Sequence, residues 1–289
     1  MNYRHAFHAG GFADVIKHIV LVRVLTYLHE KPAAFRVIDS HAGAGLYDLT
    51  GEQAQRGGEW LTGIARILQA RFSEATAALL KPYLDVVRAF NPQANMLAAY
   101  PGSPLFARAL LRPQDRLTAC EVESAAAAAL RKNLRGDDRI KTLAVDGWTA
   151  LRAYLPPKER RGLVVVDPPF EEDREFSRLA HAFAGAHRKW ATGLYLLWYP
   201  IKDRAGPDSL AKSLRRLGPA KILRAELNVG PLSDPTRLNG CGLILVNPPW
   251  TLENELSVLL PALAAILGPE GKGGFRLGWL AREATPAVR

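Results

Sequence analysis

Seven short runs of β-branched and aliphatic residues recur along this chain, and several are apolar at nearly every position. They are Phe35–Asp39 (FRVID), Leu117–Glu121 (LTACE), Ile140–Val145 (IKTLAV), Leu163–Asp167 (LVVVD), Leu194–Trp198 (LYLLW), Ile222–Leu227 (ILRAEL) and Cys241–Val246 (CGLILV). A strand with one wet face alternates apolar and polar residues. A strand apolar throughout must be covered on both faces, as in a parallel sheet between helices. Helix-prone segments separate most of the runs: 13–29, Ser124–Leu134, Gly147–Tyr154, Glu175–Trp190 and Pro207–Leu217. The first has Asp14 near its start and stops at Glu30-Lys31-Pro32. Only the 13 residues Asn228–Gly240, rich in Gly, Pro, Asp and Asn, join the last two runs. A crossover helix does not fit there, so an antiparallel hairpin is expected. The expected fold is α/β, with a mostly parallel sheet of seven strands whose last strand is antiparallel.

One spacing is abnormal. Asp39 and Glu121, which end the first two runs, stand 82 positions apart, where about 20 is usual in a doubly wound sheet. The excess, Tyr47–Ala99, reads as helical (WLTGIARILQARF, then ATAALLKPYLDVVRAF). It is expected as an inserted helical subdomain over 47–99, packed on the sheet's edge. Residues 1–46 and 100–289 then form the sheet domain, with an N-terminal segment, 1–18, and a frayed tail at Ala281–Arg289. At 48% hydrophobic residues the chain can bury a large core, yet no apolar run is long enough for a membrane span. The opening Met1-Asn2-Tyr3-Arg4-His5 leads into no apolar segment, so no signal peptide is expected. Two cysteines, Cys120 and Cys241, argue against a disulfide framework or a zinc site and suit a reducing cytoplasm. The net charge of +10 favours a polyanionic partner, nucleic acid first.

Four strand ends carry candidate chemistry. Asp39-Ser40-His41-Ala42-Gly43-Ala44-Gly45 follows the first run, and its small residues let backbone approach a ligand. It lacks the full GxGxxG fingerprint, which argues against NAD. Glu121 ends the second run, where an acid can accept from ribose hydroxyls; Glu123 competes but lies beyond the strand end. Asp146-Gly147 ends the third. Its carboxylate suits either an adenine amine or the N-cap of the helix that follows. Asp167-Pro168-Pro169-Phe170 ends the fourth. Two prolines stop the ladder and remove two donors, so the Asp167 side chain and the Pro168 carbonyl are left to accept from one –NH2. An adenine N6 is a poor nucleophile because its lone pair is delocalised; two acceptors on its hydrogens localise that pair. Phe170 would stack on the base, which must leave any helix to be reached. A near copy, Asn247-Pro248-Pro249-Trp250, follows the strand expected to be antiparallel. It should lie on the opposite edge of the sheet and is read as structural. The leader Tyr3–His18 interleaves aromatics, histidines and basic residues, a composition suited to bases and phosphates. His5 and His8 have no further ligands at metal spacing, so no metal is expected.

The sequence resembles the RlmJ family, bacterial 23S ribosomal RNA adenine-N6 methyltransferases. The resemblance spans nearly the whole chain and rests on YRHAFHAGGFADVIKH, DSHAGAGLYDL, GEWLTGIARI, YPGSP, CEVE, VDGW, RRGLVVVDPPF, ATGLYLLWYP and LILVNPPW. It implies a Rossmann-like class I methyltransferase with an inserted helical subdomain. It implies S-adenosylmethionine contacts at His18, His41, Ser103, Glu121, Asp146, Gly147 and Asp167, and no metal. It also implies that Asp167 is the catalytic acceptor, with Pro168 and Phe170 beside it, and that Tyr3 handles the substrate. Lys17, beside His18, is expected to act with it. The partner would be 23S rRNA, and the protein a cytoplasmic monomer. Two positions depart from the family: Phe170 replaces the usual Tyr and loses a hydroxyl, and Gly11 replaces the usual Asn. Three other readings share parts of the pattern. A DNA adenine-N6 methyltransferase also uses Asp-Pro-Pro but needs a groove-reading element. A non-catalytic RNA-binding assembly factor would not need Asp167. A protein glutamine methyltransferase would react at Asn247 instead.

Overall fold

Residues Gly162–Val166 are buried at every position, as a strand covered on both faces must be. They form the sixth strand of a computed structural model that describes residues 4–93, 96–171, 174–218, 221–232, 234–271 and 273–282. After a 3-10 turn at His5–Phe7, the chain forms α1 (Phe12–Leu28), β1 (Arg36–Asp39) and β2 (Leu46–Asp48). Four helices follow: α2 (Glu52–Gly57), α3 (Glu59–Thr62), α4 (Ile64–Gln69) and α5 (Glu74–Ala89). Next come β3 (Ala99–Pro101), α6 (Ser103–Ala109), β4 (Arg116–Cys120), α7 (Ser124–Asn133), β5 (Ile140–Leu143) and α8 (Gly147–Ala153). Then come β6 (Gly162–Val166), α9 (Glu175–Lys189), β7 (Leu194–Ile201), α10 (Ala205–Leu217) and β8 (Ile222–Asn228). The chain finishes with β9 (Gly240–Val246), α11 (Leu252–Leu267) and β10 (Gly274–Ala281). Among the described residues no helix is long and apolar enough to cross a membrane.

The main sheet runs β10-β8-β9-β7-β6-β1-β4-β5. β5, β4, β1, β6 and β7 are parallel neighbours. β9 lies antiparallel between β7 and β8, so β8 again runs with the parallel set. Strand order reverses at β1, which has β4 on one side and β6 on the other. This is a Rossmann-like sheet with one strand more than expected. The sheet has eight strands, not seven, because β10 pairs antiparallel with β8 at the edge. β10 carries Gly274, Gly278 and the exposed Arg276, so it lacks the apolar run that marks a buried strand. The sequence reading also placed no element over α11, a continuous helix that carries Pro261 in its interior.

The stretch 47–99 holds α2 to α5, and its ends are clipped by the antiparallel pair β2–β3. It does not pack on the sheet's edge as expected. α5 lies on α1, α11 and α6, on one face of the sheet. The cause is α1, where twelve of seventeen residues are buried. A helix covered on one side only needs a single apolar stripe, whereas α1 is apolar nearly all round and needs a second cover. Ile64, Ile67, Leu80, Tyr83 and Val87 of the insertion supply it and share one core with α1 and α11.

Strand direction separates the two Pro-Pro motifs. β9 opposes β7 with Val246 beside Tyr195 and Gly240 beside Ile201. Asn247 therefore emerges where the parallel strands begin. Its amide N–H donates to Lys221 O at 3.0 Å. Its side-chain Nδ2 donates to Ala191 O and Gly193 O, both at 2.8 Å. Its φ of +53° is one that asparagine tolerates better than most residues, and Trp250 is 76% exposed. Asn247→Ala is expected to cost about 1–3 kcal/mol in a urea titration. The affinity for S-adenosylmethionine expected from the resemblance, measured by calorimetry, should stay as in the parent chain, because Asn247 lies at the edge of the sheet opposite the carboxyl ends of the parallel strands.

Candidate active site

The carboxyl ends of β1, β4, β5 and β6 converge where strand order reverses, the place where open α/β sheets bind ligands. A cavity of roughly 270 Å³ opens there, close to the size usual for small-molecule sites. His41 comes from the β1 end, Glu121 from the β4 end, Asp146 from the loop after β5 and Asp167 from the β6 end; His18 reaches in from α1 and Ser103 from the start of α6. All six line this one cavity. Gly147, expected beside them, is not among the residues that line it. A side chain there would collide with the Ser40 carbonyl and the His41 ring, so the glycine admits protein atoms.

Each strand end is set by hydrogen bonds that use up part of its side chain. Glu121 accepts from Gly43 N–H at 2.9 Å and from Glu123 N–H at 2.8 Å, which ties the first glycine turn to β4. Glu123 itself points away and caps α7. Asp146 fulfils its N-cap reading, accepting from Thr149 N–H at 2.9 Å and Thr149 Oγ1 at 3.0 Å, and still borders the cavity. Ser40 Oγ donates to Val165 O and lies 2.9 Å from His41 Nδ1, which fixes the ring. Burial pushes His41 down to about 4 and, aided by the neighbouring Lys17 charge, holds His18 well below its ordinary value. Both imidazoles are therefore neutral near pH 7. His18 Nδ1 is 2.9 Å from Tyr100 Oη, while its buried Nε2 has no hydrogen-bond partner among the described residues. Burial also pushes Asp39, at the end of β1, up to about 6, against the pull of the Ser103 hydroxyl and the Lys17 charge.

A second cavity, roughly 320 Å³, adjoins the first, and Lys17, Asp167 and Pro169 border both. Its walls include Phe170, Trp198 and Pro200, with Lys202 also at its border. The Phe170 ring meets Phe176 at 4.9 Å and Trp198 at 5.8 Å, both edge to face. Phe170 adopts φ +49°, a strained conformation for an aromatic residue that such packing sustains.

Lys17 sits between two carboxylates. Its Nζ donates to Asp14 Oδ1 at 2.8 Å and to Asp167 Oδ2 at 2.5 Å, and it is 4% exposed. Burial pulls the ammonium toward neutrality, but the two carboxylates outweigh it and hold it well above its ordinary range. Asp14 was not singled out in the sequence as a site residue, nor were Trp198, Pro200 and Lys202. A signal for Asp14 existed: Asp14, Lys17 and His18 put three polar groups at i, i+3 and i+4 on one side of a mostly apolar helix.

Of the leader, Tyr3 lies outside the described residues. The rest is strapped to the insertion. Ile64 N–H donates to Gly10 O at 2.8 Å, and any side chain at Gly63 would strike the backbone of Gly10 and Gly11. His8 Nδ1 lies 2.7 Å from Glu59 Oε1. His5 Nε2 donates to Asp14 Oδ2 at 2.9 Å, and its ring packs on Tyr47. Among the described residues no group of three His, Cys, Asp or Glu side chains is arranged to hold a metal ion.

Known proteins are similar to this chain over nearly its full length. The family described as Ribosomal RNA large subunit methyltransferase D, RlmJ, matches residues 32–281. Ribosomal RNA large subunit methyltransferase J of Escherichia coli (strain K12) is 41% identical over 283 residues, covering 98% of this chain and 100% of that protein. Its namesake in Haemophilus influenzae is 38% identical over 284 residues, with the same coverage. The crystal structure of protein LPL1258 from Legionella pneumophila superimposes with a TM-score of 0.86 at 35% identity, covering 94% of this chain and 98% of that one. With its reversed-order sheet and its ring of strand-end side chains, this chain belongs to the RlmJ family of ribosomal RNA large subunit methyltransferases.

Proposed function

We propose that this chain methylates the exocyclic N6 of an adenine in 23S ribosomal RNA from S-adenosylmethionine, with Asp167 holding the amine. The observation that carries the reading is the meeting of two cavities at Asp167-Pro168-Pro169-Phe170. One suits a nucleoside cofactor and the other a single base.

The first cavity fits S-adenosylmethionine by the chemistry of its side chains. Glu121 offers a carboxylate to ribose hydroxyls and Asp146 one to an adenine amine. Val122, 56% exposed between them at the cavity wall, offers an apolar face to a flat ring. His18, with its unpartnered Nε2, and His41 add polar atoms without charge. The two cations at its wall, Lys17 and Arg178, are each paired with carboxylates, Lys17 with Asp14 and Asp167 and Arg178 with Glu175, which tempers their repulsion of a second positive charge. S-adenosylmethionine, when bound, supplies a methyl group made electrophilic by its sulfonium.

The chain's own residues do the rest. Lys17 occupies Asp167 Oδ2, which leaves Oδ1 to accept from the adenine amine. The Pro168 carbonyl accepts the amine's other hydrogen. Together they localise the nitrogen lone pair and fix its direction, and orientation of this kind can be worth several kcal/mol, roughly 7–11 at best. No strong base is required, because the amine proton becomes acidic only after the methyl has arrived. Phe170 covers one face of the base inside the second cavity, which a base must leave its stack to enter. The net charge of +10 suits a polyanionic substrate, and membership of a ribosomal RNA methyltransferase family favours RNA over duplex DNA.

Purified protein, labelled S-adenosylmethionine and large-subunit rRNA lacking the modification test the reading directly. Nuclease digestion and mass spectrometry should find N6-methyladenosine, and duplex DNA should not compete. Unmodified rRNA, or an Asp167→Ala variant as active as the parent, would overturn it. Asp167→Ala is expected to lower single-turnover methyl transfer by at least about 10²-fold, on the scale of losing a group that acts at the reacting atom. Phe170→Ala removes a stacking face worth about 1–3 kcal/mol. It should therefore cost roughly 5- to 150-fold in kcat/KM for RNA, with unchanged calorimetric affinity for S-adenosylmethionine. Phe170→Tyr should be near neutral in the same assay.

A further inference from the structure

Asp14 borders the second cavity but not the first, and it accepts hydrogen bonds from three donors. It lies in the first turn of α1 and is 3% exposed. Its Oδ1 accepts from Lys17 Nζ at 2.8 Å. Its Oδ2 accepts from His5 Nε2 at 2.9 Å and from Gly10 N–H at 3.1 Å. Lys17 in turn reaches Asp167. A continuous path of charge-assisted hydrogen bonds therefore runs from the leader, through Asp14 and Lys17, to the carboxylate that holds the amine.

We infer that Asp14 is a positioning residue for methyl transfer, which acts by sharing Lys17 with Asp167. The inference rests on the reading of Asp167 given above. Consider the site without Asp14. A buried ammonium whose sole counter-ion is Asp167 would settle wholly upon it, because an unpaired charge in the interior is costly. Asp167 would then be neutralised by a competing donor and would be a weak acceptor for an amine. With Asp14 present, Lys17 keeps a counter-ion when the amine takes up Asp167. The three groups also sum to one negative charge, two carboxylates against one ammonium, while His18 and His41 stay neutral. The amine nitrogen gains positive charge as it is methylated, and a net negative cluster beside it stabilises that charge more than a neutral pair would. The bonds from His5 and Gly10 keep Asp14 from following Lys17 toward Asp167.

A double-mutant cycle tests this, because coupling through Lys17 predicts losses that do not multiply. Asp14→Asn should lower the single-turnover rate by about tenfold or more, with S-adenosylmethionine affinity within about twofold of the parent. In a Lys17→Met background the same substitution should lower the rate by less than about threefold, since the cation that Asp14 manages is gone. Equal fractional losses in the two backgrounds would make Asp14 a plain anchor for the leader and overturn the inference. So would a parent-like rate, or a loss of cofactor affinity that matches the loss of rate. Should Asp14→Asn fail to fold, Asp14→Glu moves the charge by one methylene and is expected to show the same dependence on Lys17. Asp167→Asn is run alongside. If it remains active, the assignment of Asp167 fails; if it is inactive while Asp14→Asn behaves as the parent, only the role of Asp14 fails.

Discussion

One ammonium group holds the working parts of this protein in register. Lys17 is buried on α1, and a buried charge survives only with partners in good geometry. It finds them on its own helix in Asp14 and across the sheet in Asp167. Breaking such a set by removing one member typically costs about 3–5 kcal/mol. α1, the β6 loop and the leader are therefore not free to move independently. The helix carrying the ammonium is itself buried nearly all round, between the sheet and the inserted helices. The insertion follows from the same constraint, because α1 needs a second cover.

Sheet direction then decides which chemistry is possible. Parallel strands bring their carboxyl ends to one edge, and the reversal at β1 opens a crevice there. His41, Glu121, Asp146 and Asp167 reach the first cavity from such ends, and His18, Lys17 and Ser103 from helices beside them. The antiparallel β9 delivers Asn247-Pro248-Pro249-Trp250 to the other edge, where the asparagine ties down two carbonyls at the entry to β7. Two tetrapeptides of nearly the same composition thus have different roles because their strands point opposite ways. The site also manages charge by position. Burial keeps two histidines neutral, and carboxylates flank the Lys17 ammonium.

Much of this is legible in the sequence, for physical reasons that differ from part to part. Strands β6 and β9 are legible because burial on both faces demands apolar residues at successive positions. The direction of β9 follows from a connection too short for a crossover. β10 is not legible, since an edge strand with glycines and an exposed arginine carries no such demand. Glu121 and Asp146, which line the first cavity, could be placed because each follows the carboxyl end of a parallel strand. Their hydrogen bonds to Gly43 and Thr149 could not, because these depend on loop paths. Gly147 shows the limit well. A need for close approach is readable from a glycine, but not which atom approaches, and here it is the His41 ring. Asp14 went unseen because a carboxylate in the first turn of a helix already has a sufficient local explanation in the helix dipole.

The leader poses a last physical question, since ordering a chain terminus costs about 1–2 kcal/mol of backbone entropy per residue. Residues 4–11 have few apolar contacts of their own to offset that. What holds them is specific and polar: Ile64 N–H on the Gly10 carbonyl, His8 on Glu59, and His5 with Gly10 on Asp14. The glycine at 63 lets the two backbones touch. Two of these three ties go to the insertion and the third goes to the buried charge cluster. The insertion thus does for the leader what the sheet does for the strand ends. It provides a rigid surface on which a segment too polar to bury itself takes one path, and that path brings His5 to the carboxylate that shares Lys17 with Asp167.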